Sequence, residues 1–242
     1  MLGNNIGDMV KCWKAMNNNL RLQLGNIIAF FQKSFYEVEH AHISPFSKKL
    51  KLSKKQPQSK KHFTLQFPNH IRTYIEDVVN VISDGNCGFR VIASLHGYGE
   101  DGWSMVRRDL ELEIIDKDRS TLYDKLFCNR LAEVRESLMI KSFGSQPSEK
   151  WLTLPDIGYL IANRYNVVLV CLGNPCMTFF PMTSSHSPNV SIYCIGFVNQ
   201  NHWVQVNMKE GFPLPPVTLD WKKFRCQTAT SCMLGFTGRL QH

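Results

Sequence analysis

Two short segments carry side chains that can do covalent chemistry. In SDGNCGFR at 83–90, Cys87 stands at a glycine-flanked turn just before a helical pattern. In NHWV at 201–204, His202 lies inside a strand pattern. A thiol attacks as its thiolate, which a helix N-terminus and a nearby imidazole both stabilise. The pair therefore predicts a thiol hydrolase, with Cys87 as the nucleophile and His202 as the base.

The turn before Cys87 allows a second feature of such an enzyme. Gly85 permits a tight turn, so the main-chain N–H groups of Gly85, Asn86 and Cys87 can converge on one point and form an oxyanion hole. The alternative is an Asx-type turn that caps a helix, with Asp84 or Asn86 as the cap and Cys87 as filler. A lone histidine beside a tryptophan in a strand is likewise most often structural.

Charge divides the chain unevenly. The net charge of the 242 residues is +8, and residues 1–62 hold 11 Lys and Arg against 3 Asp and Glu, whereas residues 63–242 hold 17 against 17. A function in nucleic-acid binding cannot be inferred from charge for residues 63–242. With 43% hydrophobic residues, the chain can bury a substantial core.

Three segments are predicted from the pattern along the chain. Residues 1–42 form a helical appendage, because apolar residues recur there at three- and four-residue spacing. Residues 43–62 form a basic linker, rich in lysine and serine and without an acidic residue. The lysines between Lys48 and Lys61 suit a nuclear-import signal or a weak nonspecific nucleic-acid contact, although no aromatic residues are interleaved for base stacking.

Residues 63–242 form the globular domain, in which helical patterns come first and strand patterns follow. A short helix or strand is expected at 71–81. The expected helices are 89–98, 103–115, 123–141 and 154–164, the last capped by Thr153, and the expected strands are 166–172, 177–182, 192–198 and 202–208. This order predicts an α+β fold with a mixed sheet.

The cysteine spacing, the apolar runs and the first residues indicate which cofactors and which cellular location to expect. The eight cysteines include no CxxC pair, so no metal site and no cofactor are expected. No apolar run reaches the length of a membrane span, and the first residues lack the pattern of a cleavable signal. The protein is expected in the nucleus or cytoplasm, with no membrane partner and most thiols reduced.

The motifs together resemble the ovarian-tumour-type (OTU) cysteine protease family. The resemblance runs from DGNCGFR at 84–90 through the Trp151 to Ala162 segment and the strand at 167–170 to His202 and Trp203. It implies a papain-type fold with helices packed around a small mixed sheet. It further implies hydrolysis of the isopeptide bond between ubiquitin, or a ubiquitin-like protein, and lysine. Cys87 and His202 would be catalytic, and Asp84 would shape the active-site loop and the oxyanion hole.

One position departs from the family pattern. Many members carry Asn or Asp two residues after the histidine to orient the imidazole, and here that residue is Val204. The orienting role would pass to Asp84, Asn201, Asn207 or a backbone carbonyl, or be missing. The alternative to an active deubiquitinase is therefore a weak or inactive OTU-like module that binds ubiquitin or another protein.

The appendage has a resemblance of its own. The segment from Cys12 to His40 is similar to the helical tail of Mutator-like transposases, which in plants and fungi occurs joined to OTU domains. It implies a transposon-derived protein. It does not imply transposase activity, because no acidic catalytic set accompanies it.

Overall fold

The computed structural model describes residues 60–240 of the chain. The predicted helical appendage at 1–42 and the predicted linker up to residue 59 lie outside this range. The first described helix begins at Lys60, so the last three residues of the predicted linker are helical.

The helices and strands of the described chain follow in this order: α1 (Lys60–Thr64), α2 (Asn69–Arg72), β1 (Ile75–Val79), α3 (Cys87–His96), α4 (Trp103–Ile114), α5 (Ser120–Leu126), α6 (Leu131–Leu138), α7 (Asp156–Tyr165), β2 (Val168–Leu172), β3 (Met177–Phe179), β4 (Ile192–Val198), β5 (His202–Met208), α8 (Leu219–Phe224) and α9 (Thr230–Leu234). Single 3₁₀ turns at Glu100–Gly102 and Ser148–Lys150 precede α4 and the segment leading to α7.

The strands form one five-stranded sheet in the order β1-β5-β4-β2-β3. Strands β2 and β4 are parallel, and the other neighbours are antiparallel. All five residues of β2 are buried, which is why its sequence VLVCL is an unbroken apolar run. Because β1 and β5 are antiparallel, the end of β1 lies beside the start of β5, where His202 is.

Helix α3 packs against β5, β4 and α4, and its first seven residues are all buried. Buried apolar side chains of the sheet and of α3, α4 and α7 form one continuous core. Each fully buried Leu, Ile or Phe contributes about 1.5–3 kcal/mol through its removal from water. The start of α3 is thereby held against the sheet.

The predicted α+β fold is confirmed, with helices around a small mixed sheet. The single helix expected at 123–141 is wrong: the chain breaks between α5 and α6, where Cys128 and Asn129 have φ of 52° and 64°. The cap expected at Thr153 is also wrong, because α7 begins at Asp156 directly after Pro155. No helix within residues 60–240 has the length and apolar character to cross a bilayer.

Candidate active site

Cys87 is the first residue of α3, two residues earlier than the predicted helix start. The preceding residue Asn86 is the N-cap, and its side chain makes no capping hydrogen bond. The first helical bond runs from the Arg90 N–H to the Asn86 carbonyl. The N–H groups of the first turn therefore have no partner within the helix, and the positive end of the helix dipole faces the thiol.

The Cys87 thiol is buried against the strand that carries His202. The main-chain N–H of Trp203 donates to Cys87 Sγ at 3.5 Å, so the sulfur lies directly beside the residue that follows His202. Burial raises the pKa of the Cys87 thiol, and hydrogen bonds from the N–H groups of Trp203 and Gly88 oppose this rise without cancelling it. The Cys87 thiol therefore rests protonated, beside N–H groups that would stabilise its thiolate.

His202 is held by a residue that the sequence did not single out. Its Nε2 lies 2.8 Å from Asn80 Oδ1. The other ring nitrogen, Nδ1, is buried and has no hydrogen-bond partner among residues 60–240. Burial lowers the pKa of His202, and the negative charge of Asp84 opposes this only in part, so the ring rests in its neutral form.

The hydrogen bonds of Asn80 determine which ring nitrogen carries the proton. The main-chain N–H of Val81 donates to the same Asn80 atom at 3.0 Å, which identifies that atom as the amide oxygen. An amide oxygen only accepts, so Nε2 of the neutral His202 ring must be the donor. The lone pair is then on Nδ1, which makes Nδ1 the basic atom.

Strand register explains how Asn80 reaches the ring. Val79 pairs with Gln205, and continuing this antiparallel register by one residue sets Asn80 beside Val204. Side chains at 202 and 204 lie on the same face of β5. The carboxamide of Asn80, the residue after β1, thus lies beside position 204, the position from which Asn or Asp orients the imidazole in the pattern described above.

The orienting residues proposed from sequence have other positions. The Asn207 side chain accepts a hydrogen bond from Gln205 Nε2 at 2.8 Å. Asn201 is exposed in the turn between β4 and β5, where its N–H donates to the Val198 carbonyl. Asn80 could have been found only by knowing that β1 borders β5.

Asp84 shapes the turn that carries the nucleophile. Its carboxylate accepts hydrogen bonds from Arg90 Nη2 at 2.7 Å and from the Asn86 N–H at 2.9 Å. Burial acts to raise the pKa of Asp84, but the hydrogen bonds from Arg90 and Asn86 outweigh it and leave this pKa below its usual value. The carboxylate therefore stays ionised and holds the turn closed.

This network revises the expected oxyanion hole. The Asn86 N–H, one of its three predicted donors, is already bound to Asp84. The N–H groups of Cys87 and Gly88 lie next to the thiol and act to lower its pKa. The candidate oxyanion donors are therefore the N–H groups at the start of α3 rather than that of Asn86.

Gly85 is required by both conformation and space. Its φ is +81°, and a Cβ added there would lie 2.3 Å from the Gln146 carbonyl oxygen and 2.8 Å from Trp151 Nε1. The segment around Gln146 packs on the turn through a hydrogen bond from the Gln146 N–H to the Asp84 carbonyl at 2.7 Å. No side chain larger than hydrogen fits between the two segments.

A Gly85→Ala substitution is expected to destabilise the fold by about 2–5 kcal/mol, because an unfavourable positive φ adds to a backbone clash. The matched control is Gly97→Ala, since Gly97 has φ +88° with nothing within 4 Å of an added Cβ. That control is expected to cost about 1 kcal/mol. Urea unfolding of both variants measures the difference, and equal losses would contradict the clash.

The reaction of Cys87 with iodoacetamide is expected to accelerate with pH and to keep rising above about pH 9, because burial raises the thiol pKa. The rate at Cys87 is read by peptide mass spectrometry across the pH range. A rate that levels off below about pH 7 would show a resting thiolate–imidazolium pair instead.

No protein-family model and no curated protein sequence matches the chain. Among solved structures, the chain is similar to the viral OTU domain protease of Dera Ghazi Khan virus, with 11% identity, TM-score 0.41 and coverage of 58% of this chain and 85% of that one. It is also similar to the Hazara virus OTU bound to ubiquitin, with 13% identity, TM-score 0.40 and coverage of 57% of this chain and 84% of that one. A third similar structure is the viral OTU domain protease of Farallon virus, with 14% identity, TM-score 0.38 and coverage of 57% of this chain and 87% of that one.

Proposed function

We propose that this protein is a thiol-dependent isopeptidase of the deubiquitinase type. The observation that carries the proposal is the set of contacts around His202. Asn80 fixes the Nε2–H tautomer, and Nδ1 keeps a lone pair that no residue in 60–240 binds. The next residue, Trp203, contacts Cys87 Sγ through its N–H. These contacts support assigning Cys87, His202 and Asn80 the roles of nucleophile, base and orienting amide that Cys-His-Asn hydrolases use.

The proposed reaction uses these groups in turn. His202 Nδ1 accepts the thiol proton, and Cys87 Sγ attacks the carbonyl carbon of the scissile amide. The oxyanion that forms is stabilised by the N–H groups at the start of α3. His202 then donates the proton to the departing lysine amine, and the C–N bond breaks to leave a thioester. Water, deprotonated by His202, hydrolyses the thioester and releases the carboxylate and the free thiol.

Ubiquitin or a ubiquitin-like protein is the proposed substrate and partner. This part of the proposal is supported by the sequence resemblance of the Asp84 to Arg90 turn and the His202-Trp203 pair to the OTU family. Many members of the family carry Asn or Asp at the position of Val204, and here the amide of Asn80, the residue after β1, lies within hydrogen-bond distance of the His202 ring. Val204 is therefore compatible with turnover.

A panel of ubiquitin dimers of different linkage tests the function. The full-length protein is expected to cleave one or more linkages under reducing conditions, and Cys87→Ala is expected to abolish cleavage. The matched control is Cys128→Ala, because Cys128 is an exposed free thiol outside the site. Equal cleavage by the wild type and Cys87→Ala would refute the assignment of the nucleophile.

The alternative is a binding module that recognises ubiquitin without useful turnover. The burial of Cys87, which leaves it 6% exposed and raises its pKa, is the observation that favours it. It predicts ubiquitin binding that survives Cys87→Ala together with no dimer cleavage by the wild type. Wild-type cleavage that this substitution abolishes excludes it.

The proposal also includes a role for residues 1–62, most of which lie outside the described range. The excess positive charge of residues 1–62 supports a weak nonspecific nucleic-acid contact through the Lys48 to Lys61 segment and a nuclear as well as cytoplasmic location. Binding to duplex DNA should then weaken steeply with salt and disappear when residues 43–59 are deleted. Salt-independent or absent binding would remove the nucleic-acid contact.

A further inference from the structure

Arg107, on α4, is a buried cation beside the active-site turn. It is 2% exposed, and it forms no salt bridge with any residue in 60–240. Burial lowers the pKa of this guanidinium to about 10. Its guanidinium carbon lies 3.8 Å from the centre of the Phe89 ring. An unpaired charge is costly to bury, so its hydrogen bonds must account for its place here.

Those hydrogen bonds converge on the residue before the nucleophile. Arg107 Nε and Nη2 both donate to Asn86 Oδ1, at 3.1 and 2.9 Å. Asn86 Nδ2 in turn donates to Asp84 Oδ2 and to the Gly144 carbonyl at 3.3 and 3.2 Å. The fully buried Asn86 amide is thus fixed at both ends, and Asn86 carries the peptide group from which the Cys87 N–H projects.

The same guanidinium reaches two more segments. Nη1 donates to the Ser137 carbonyl at the end of α6, at 3.0 Å, and Nη2 donates to the Lys150 carbonyl at 2.6 Å. Two residues after Lys150, the Leu152 carbonyl accepts from Trp203 Nε1 at 3.1 Å. The Trp203 N–H is the group that contacts Cys87 Sγ. Arg107 therefore connects the turn before Cys87 with the Leu152–Trp203 wall, by which we mean the Leu152 carbonyl and the Trp203 side chain that it binds.

We propose that Arg107 is a positioning residue for the oxyanion site. It holds the Asn86-Cys87 peptide in register with the Leu152–Trp203 wall, so that the N–H groups at the start of α3 meet the developing oxyanion. This inference rests on the proposed hydrolase function. The role needs the planar fork of arginine, because the single ammonium of lysine cannot donate to Asn86 and to both carbonyls in the same geometry.

The test compares two reactions of Cys87 that differ in their need for an oxyanion site. Alkylation by iodoacetamide displaces iodide and forms no oxyanion, whereas hydrolysis of a fluorogenic C-terminal amide of ubiquitin passes through one. Arg107→Lys is expected to lower kcat for the ubiquitin amide by about 10- to 100-fold, as for a misplacement near 1 Å, with KM within about twofold. The alkylation rate at Cys87 should stay within about threefold of the wild type.

Arg108→Lys is the matched control, because Arg108 is the next residue of α4 and its exposed side chain pairs, among residues 60–240, with Glu111 alone. It is expected to leave both reactions unchanged. If Arg107→Lys does not yield folded protein, Asn86→Ala replaces it in the same comparison, since it removes the acceptor while Arg107 keeps its bonds to Ser137 and Lys150. A selective loss of hydrolysis in that variant supports the inference.

The outcomes separate this inference from the function on which it rests. No turnover of the ubiquitin amide by the wild type would remove both. Wild-type turnover with an unchanged kcat in Arg107→Lys would overturn the positioning role alone. Parallel losses of hydrolysis and alkylation would overturn it too, because they would show general disruption of the Cys87 site.

Discussion

Replacing His202 with glutamine is expected to lower kcat for ubiquitin-dimer cleavage by about 10³-fold or more, with little change in KM. Glutamine keeps a hydrogen-bonding group near Asn80 but has no basic nitrogen at the position of Nδ1. The Cys87 thiol, whose pKa burial raises, then has no neighbouring base to remove its proton at neutral pH. Steady-state kinetics on the preferred dimer measures the loss.

His186→Gln is the matched control for this substitution. His186 also has a buried Nδ1 without a hydrogen-bond partner among residues 60–240, but its ring packs on Phe236 near the C-terminal end. The control is expected to retain kcat within about twofold, as substitutions outside a catalytic unit usually do. If His202→Gln cleaved dimers at the wild-type rate, another group would have to be the base.

The second large effect is expected at Asn80. Asn80→Ala removes the oxygen that holds Nε2–H, so the ring loses both its tautomer and its orientation, and kcat should fall by about 10²- to 10⁴-fold. Asn80 is exposed, so the free energy of unfolding should change little. Asn80→Asp keeps an acceptor and is expected to recover much of the rate. Its carboxylate should also raise the pKa of His202 and move the pH dependence upward.

Asn201→Ala and Asn207→Ala are the controls that distinguish Asn80 from the other candidates for orienting His202. Both residues were candidates from sequence for the same role, and neither is the partner of His202 in the structure. Each variant is expected to keep kcat within about threefold of the wild type, like other changes away from the reacting groups. If kcat fell strongly in either variant while Asn80→Ala stayed active, Asn201 or Asn207 would be the orienting residue instead of Asn80.

Features that depend on local sequence could be predicted. The Cys87 turn is fixed by neighbours along the chain: Gly85 supplies the positive φ, and Asp84 accepts the Asn86 N–H two residues on. The strand ending at Leu172 and the strand beginning at His202 were predicted for the same reason, because their apolar patterns and flanking turns lie within the segment itself.

Features that depend on contacts between residues distant in sequence could not be predicted from the sequence. Asn80 becomes the partner of His202 only because β1 is placed beside β5, and sheet order is not encoded in either strand alone. Arg107 lies on the apolar face of its helix, four residues after Trp103 and three before Leu110, but the carbonyl groups that make its burial possible come from three segments distant in sequence. The break at Cys128 interrupts an apolar spacing that continues on both sides of it.

The central claim is that Cys87 is a nucleophile activated by His202 toward the C-terminus of ubiquitin. The most direct measurement is intact-protein mass spectrometry of the full-length chain after incubation with ubiquitin that carries a C-terminal electrophile. One ubiquitin-sized adduct is expected, mapped to Cys87, absent in Cys87→Ala and strongly slowed in His202→Gln. No adduct, or an adduct that forms equally well in Cys87→Ala, would contradict the claim.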